Sequence, residues 1–82
     1  MANLKLYLLT PSKGMMGRDI YLGAVVAAKN IHEARKIHPN GESEWSSTGT
    51  WVKDPASVNV KLIGAALPET QAGVILSDFF GS

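Results

Sequence analysis

Apolar and polar positions alternate along four stretches of the chain, and this alternation predicts four β-strands. In the first stretch, Leu4, Leu6 and Leu8 alternate with other side chains, so one face of that strand is fully apolar. The predicted strands span residues 4–10, 20–28, 58–63 and 73–80. The nine-residue connection over residues 11–19 contains glycine and is most simply a long hairpin loop, which makes the first two strands antiparallel neighbours.

A short amphipathic helix is predicted over residues 31–38, between the second and third strands. Asn30 and Glu33 have the spacing of a capping box, in which each side chain satisfies a free backbone N–H of the first turn. A narrow apolar stripe along the helix consists of Ile31, Ala34 and Ile37. Pro39 then ends the helix, which is too short to be stable unless it packs on a sheet.

The element order ββαββ predicts an α+β fold with one four-stranded antiparallel sheet and one short helix across one of its faces. Residues 1–82 are expected to form a single domain. The helix is too short to cover four strands, and the second face of the sheet carries apolar residues of its own: Tyr7, Leu9, Ile63 and either Val74 or Ile75. That face is expected to be covered by the polar 42–55 segment or by a second copy of the chain.

Composition narrows the possible functions. The chain has 82 residues, of which 45% are apolar and 18% are charged, and its formal net charge is +1. Low charge on a small domain points to an interface and so to a homodimer or larger oligomer, whereas the charge balance disfavours nucleic-acid binding. The absence of cysteine excludes disulfides and thiolate chemistry. Without a signal-peptide pattern or a membrane-spanning apolar run, a cytoplasmic protein with no membrane association is expected.

The stretch HEARKIH, residues 32–38, approximates the zinc-protease motif H-E-x-x-H. That motif needs two histidines four residues apart, but Lys36 occupies the second position and the next histidine is His38. On one helix, His32 and His38 would point about 120° apart. We therefore expect no metal site, and no cofactor is indicated.

Candidate binding residues come from two parts of the chain. The loop KGMMGR places Lys13 and Arg18 beside glycines, where an anion such as phosphate could bind; the alternative is a flexible hairpin tip. Trp45 and Trp51 lie in a polar stretch, where each either caps the core or forms an aromatic wall for a ligand. Arg35 on the helix could stack on one of them. Together these residues are the predicted site for a ligand or partner.

Catalytic machinery is not indicated by the sequence. No serine has a histidine at a recognisable motif spacing, and G-x-S-x-G is absent. The acidic residues Asp19, Glu33 and Asp78 are scattered, and nothing in their spacing pairs them as acid and base. We expect that the protein is not an enzyme.

Four segments of the chain form a longer pattern: LYLLT at 6–10, AVVAAKNIHEARKIHPNG at 24–41, VNVKLIGAA at 58–66 and GVILSDF at 73–79. With this pattern, the sequence resembles small proteins encoded by bacteriophages and prophages. The resemblance covers most of the chain, and the 24–41 segment is its most specific part. It implies a soluble phage accessory protein acting inside a bacterial cell, and it carries over no functional residues.

Two classes of function follow from these observations. The leading hypothesis is a non-enzymatic phage-type accessory protein that acts by binding and antagonises host defence. It would either sequester a small anionic nucleotide signal at the cationic and aromatic residues named above, or block a defence protein through an exposed edge strand or apolar patch. The alternative is a phage structural or assembly accessory protein that forms homo-oligomers.

Overall fold

The computed structural model describes residues 3–12, 20–39, 51–52 and 55–80. Within these ranges the strands and the helix are β1 (Lys5–Pro11), β2 (Ile20–Ala28), α1 (Ile31–Arg35), β3 (Val58–Ala65) and β4 (Gly73–Phe80). A 3₁₀ turn, Pro55–Ser57, leads into β3. The predicted order ββαββ is confirmed, as is the α+β class with a four-stranded antiparallel sheet and one short helix.

The N-terminal hairpin forms the middle of the sheet, whose strand order is β3-β1-β2-β4. β1 pairs antiparallel with β2 on one side and with β3 on the other, and β4 pairs antiparallel with β2. β3 and β4 follow each other in the chain but lie at opposite edges. The connection between them therefore crosses the end of the sheet, where the Ala66 N–H donates to the Leu4 carbonyl at 3.0 Å.

One face of the sheet, the covered face, carries the hydrophobic core. Its buried side chains are Tyr7, Leu9, Ala24, Val26, Ala28 and Val58. α1 packs on this face through Ala34, which is 0% exposed, and Trp51 and Val52 complete the same cluster. Full burial of a leucine or valine side chain contributes about 1.5–3 kcal/mol, so this cluster is the main source of stability in the described part of the chain.

The faces of β1 are the reverse of those expected. Tyr7 and Leu9, which the sequence analysis places on the second face, are 4% and 0% exposed and lie in the core. Leu6 and Leu8 are only half-buried and lie on the opposite face. Both faces of this central strand are apolar, so alternation alone does not distinguish the core face from the other. The prediction for the faces is wrong, although the strand itself is correct.

The start of α1 follows the predicted capping chemistry. Asn30 has extended backbone, and its side-chain oxygen accepts a hydrogen bond from the Glu33 backbone N–H at 2.9 Å. This bond satisfies one of the N–H groups that have no partner within the helix. The capping residue is therefore what fixes the position at which the chain turns from β2 into the helix.

The end of α1 comes earlier than predicted, at Arg35 instead of His38. Beyond Arg35 the chain tightens to 3₁₀ spacing, and the Ile37 N–H donates to the Ala34 carbonyl at 3.1 Å. The proline after His38 has no N–H with which to continue a helix. The expected apolar stripe is reduced accordingly, because Ala34 is buried while Ile31 is 41% exposed.

The opposite side of the sheet, the open face, lies away from α1 and Trp51, and Ala27, opposite Leu6, lies on it and is 0% exposed. By strand alternation and register, its larger apolar residues are Leu6, Leu8, Val25 and Leu76. Leu76 is 67% exposed, and the others are half-buried. Lys61 on β3 and Asp78 on β4, both exposed, lie at opposite rims of this face.

Candidate functional site

The predicted binding residues fall into two groups in the structure. Lys13, Arg18 and Trp45 lie outside the described residues, as does most of the 42–55 segment. Arg35 and Trp51 are described, and the contacts of each can be examined separately. The assignment of all of them to one binding site stays a prediction.

Arg35 connects the end of α1 to β3. Its Nη1 donates a hydrogen bond to the backbone carbonyl of Val58, and its side chain is half-buried. Val58 is the first residue of β3 and is 1% exposed, so the bond lies at the border of the core. A hydrogen bond that involves a charged group contributes about 1.5–3 kcal/mol. Arg35 therefore has a structural role that requires no ligand.

Trp51 belongs to the core. It is 4% exposed and clusters with Tyr7, Val52 and Val58 on the covered face. Its indole N–H has no hydrogen-bond partner among the described residues. A ring buried in this way offers no face on which a base or sugar could stack, and its placement matches the core-capping alternative for this residue.

The histidines of the HEARKIH stretch have different surroundings. His32 is exposed on α1, whereas His38 lies beyond the helix and is 0% exposed. The His38 ring meets Tyr21 edge to face, with ring centroids 6.1 Å apart and an interplanar angle of 89°. Within the described ranges, no group of three or more His, Cys, Asp or Glu side chains could hold a metal ion.

A cleft of about 330 Å³ lies between α1, the end of β2 and the start of β4. Its lining residues are Ala28, Lys29, Glu33, Ile37, Ala72 and Gly73. The cleft is at the lower end of the usual size for small-molecule sites, about 300–1,000 Å³. Its cation, Lys29, lies four residues before its anion, Glu33, so the lining has no excess of positive charge. A phosphate group placed here would meet a carboxylate as well as an ammonium group.

The outer half of β3, residues 61–65, is exposed on both of its faces and is called the β3 edge. Leu62 is 56% exposed and Ile63 is 48% exposed. Among the described strands β3 pairs with β1 alone, so its other row of backbone N–H and C=O groups faces away from the sheet. Such a row can pair with a strand from another protein, and apolar side chains beside it add affinity.

The sequence contains a signal for the β3 edge that alternation does not reveal. Residues 62–67 read LIGAAL, with no charged side chain, and Leu67 beyond the strand is 67% exposed. An edge strand is usually protected by charges, proline or a bulge; β3 has one charged side chain, Lys61, and a register shift between Leu62 and Gly64. An uncharged run at the end of a strand was therefore an indication of an exposed edge.

The described surfaces offer apolar contacts and free strand edges. No helix in the described ranges is both long and apolar enough to cross a membrane. Comparison with protein-family models, with curated proteins and with solved structures finds no match for this chain.

Proposed function

We propose that the protein is a non-enzymatic, phage-type accessory protein that antagonises host defence by binding and blocking a defence protein. The observation that carries the proposal is the β3 edge, an edge strand with the large apolar side chains Leu62 and Ile63 exposed. The resemblance to phage proteins supplies the cellular context, the bacterial cytoplasm. The exposed side chains of the β3 edge, the small α+β fold and the resemblance to phage accessory proteins together favour a binding function over catalysis.

The β3 edge supports recognition of an extended segment of the partner. A strand added to an edge gains backbone hydrogen bonds, each with a net contribution of about 0.5–1.5 kcal/mol. Leu62 lies opposite Tyr7 in β1, and Ile63 is the extra residue of a register shift between Leu62 and Gly64. Both side chains are exposed and would contact an added segment. Covering each half-exposed side chain contributes about 1 kcal/mol more. This combination favours an extended apolar segment as the recognised element.

Sequestration of a nucleotide has less support from the described residues. It needs cations and stacking faces in one concave site. Arg35 is bonded to a backbone carbonyl, Trp51 is buried, and the cleft beside α1 offsets Lys29 with Glu33. Blocking a protein needs only the exposed edge that β3 supplies, and for this reason it is the version we propose.

Plaque formation tests the proposal. Wild-type protein, Ile63→Lys and Leu67→Lys are each expressed in bacterial strains that carry one cloned defence system and are challenged with a phage that this system restricts. Wild type is expected to restore plaques in at least one strain. Ile63→Lys is expected to fail, because a lysine on an edge strand opposes strand addition. Leu67→Lys, the matched control, changes a more exposed leucine beyond β3, 67% against 48% for Ile63, and is expected to retain activity.

The outcomes separate the parts of the proposal. No restoration by wild type in any strain would refute the antagonist function. Equal restoration by Ile63→Lys, with the melting temperature unchanged, would refute the role of the β3 edge. Native mass spectrometry of protein purified from phage-infected cells provides the remaining distinction, because a co-purified nucleotide would favour sequestration over blocking.

A second candidate function is a phage structural or assembly accessory protein. The open face favours it, because an apolar sheet face on a small domain is typical of a self-association surface. We propose that the protein forms a homodimer or larger oligomer under either function. An assembly role predicts rings or stacks that persist on dilution, whereas an antagonist requires no assembly larger than a dimer.

A further inference from the structure

We infer that the open face is the interface of a homodimer, in which two copies stack sheet on sheet about a two-fold axis parallel to the strands. The inference rests on the self-association proposed above. It adds the surface, the symmetry and the pair of opposite charges that would hold the two copies in register.

Side chains on the open face form rows that run across the strands. From β3 to β4, the central row is Lys61, Leu8, Val25 and Leu76. The adjacent row contains Asn59, Thr10, Gly23 and Asp78. The apolar centre of the face therefore has a cation at one rim and an anion at the other.

These rim charges are too far apart to neutralise each other within one chain. β3 and β4 are the outer strands of the sheet, so Lys61 and Asp78 are separated by three strand spacings, about 14 Å. A salt bridge needs its nitrogen and oxygen within about 4 Å. Each charge is thus available to a partner that carries the opposite charge at the corresponding place.

A two-fold axis parallel to the strands supplies that partner from a second copy. It reverses the order of the strands, so β3 of one copy lies over β4 of the other. Lys61 then lies opposite Leu76 of the second copy and one row, about 7 Å, from its Asp78. The lysine stem can cover the leucine while the ammonium group reaches the carboxylate. By symmetry the same contact forms at the other rim.

The alternative two-fold axis, which runs across the strands, gives a different pairing. It places β3 over β3 and β4 over β4, so both lysines lie at one rim and both aspartates lie at the other. Like charges in an interface oppose association. The distribution of charge therefore makes the face complementary to a second copy of itself in one of the two orientations. Because the two rim charges cancel, the face has no net charge that would attract lipid headgroups or nucleic acids.

The size of the face sets the expected strength of the dimer. Four strands at about 4.8 Å spacing and seven residues of about 3.3 Å give roughly 19 by 23 Å, or about 440 Å² per copy. Two copies would bury about 900 Å², which is below the ~1,600 Å² of a standard stable interface. We expect a dissociation constant of about 10–100 μM, a range in which a change caused by the rim charges can be measured.

Sedimentation equilibrium with reversed charges tests the interface. The variants are Lys61→Asp, Asp78→Lys and the double variant that exchanges both charges. Two matched controls, Lys29→Asp and Glu69→Lys, make the same changes in net charge at exposed positions outside the sheet. Each single interface variant should weaken dimerisation at least tenfold, because every reversal acts at both rims. The dissociation constant of the double variant should be within threefold of the wild-type value, and those of the two controls should also be within threefold of it.

Each result has a distinct meaning. A wild-type monomer at several hundred micromolar would overturn both self-association and this interface, and would leave the open face to another protein or to a segment of the same chain. A wild-type dimer that is indifferent to Lys61→Asp and Asp78→Lys would keep self-association but overturn the assignment to the open face. Weakening by the single variants without recovery in the double variant would overturn the proposed pairing of the two charges.

Discussion

Neighbouring leucines on β1 offer a direct measurement of which face of the sheet is the core. Leu9 is 0% exposed on the covered face, whereas Leu8 is half-buried on the open face. We predict that Leu9→Ala destabilises the protein strongly and that Leu8→Ala, its matched control in the same strand, does so weakly. The sequence-based assignment of the faces predicts the opposite order.

The size of the effect follows from burial. Leu9 lies in a cluster with Tyr7, Val26 and Val58, so truncation removes its contacts and leaves a cavity, at a cost of about 2–5 kcal/mol. Leu8 is already partly in contact with water, and its truncation should cost less than about 1.5 kcal/mol. A chain of this size has a total stability of only about 4–12 kcal/mol. Leu9→Ala should therefore unfold a substantial fraction of the molecules under mild conditions.

Urea unfolding followed by circular dichroism measures both changes. The experiment is run at low micromolar concentration, where a weak dimer dissociates and the open face of each copy is solvated. A midpoint shift for Leu8→Ala equal to or larger than that for Leu9→Ala would refute the reasoning. Repeating the series at high concentration should increase the cost of Leu8→Ala alone, because dimerisation through the open face would bury that side chain.

Three further substitutions test local features of the fold. Gly23→Ala places a Cβ 3.0 Å from the backbone oxygen of Leu9 and should cost about 1–3 kcal/mol in thermal unfolding. Gly64→Ala, its control, meets nothing within 4 Å and should change stability by less than about 0.5 kcal/mol; equal costs would contradict the close approach at Gly23. Asn30→Ala should lower the free energy of unfolding by about 1 kcal/mol, whereas Asn30→Asp should change it little, because aspartate also caps a helix. Equal losses of stability in the two variants would exclude capping. Arg35→Met should lower the melting temperature by removing the hydrogen bond that links α1 to β3; an unchanged melting temperature with lost binding would instead place Arg35 in a functional site.

Local chemistry is what made the elements predictable from the sequence. Alternation located four strands, and both β2 and β4 have the predicted bounds, 20–28 and 73–80. The Asn30 cap is specified by a side chain and a backbone N–H only three residues apart, so no tertiary contact is needed to recognise it. The end of α1 was less predictable, because the tightening after Arg35 occurs before the proline that was expected to end the helix.

The features that the sequence did not predict depend on contacts between distant parts of the chain. β1 has apolar side chains on both faces, and only the docking of α1 and Trp51 on one of them identifies the core. The order β3-β1-β2-β4 depends on pairings between distant segments, which alternation does not specify. The roles of Arg35 and Trp51 depended on the same contacts. Both residues were predicted to bind a ligand or partner; in the structure Arg35 donates to a backbone carbonyl and Trp51 lies in the core.

The central position of the N-terminal hairpin also determines how the chain can fold. β1 and β2 can pair as soon as both are synthesised. The second neighbour of each strand comes from the C-terminal third of the chain: β1 pairs with β3, and β2 pairs with β4. Closing two long loops is entropically costly before any contact compensates for it, so we expect a slow folding phase compared with helical proteins of this length. During translation the free edge of β1 would stay uncovered until β3 has left the ribosome, and that of β2 until β4 has followed.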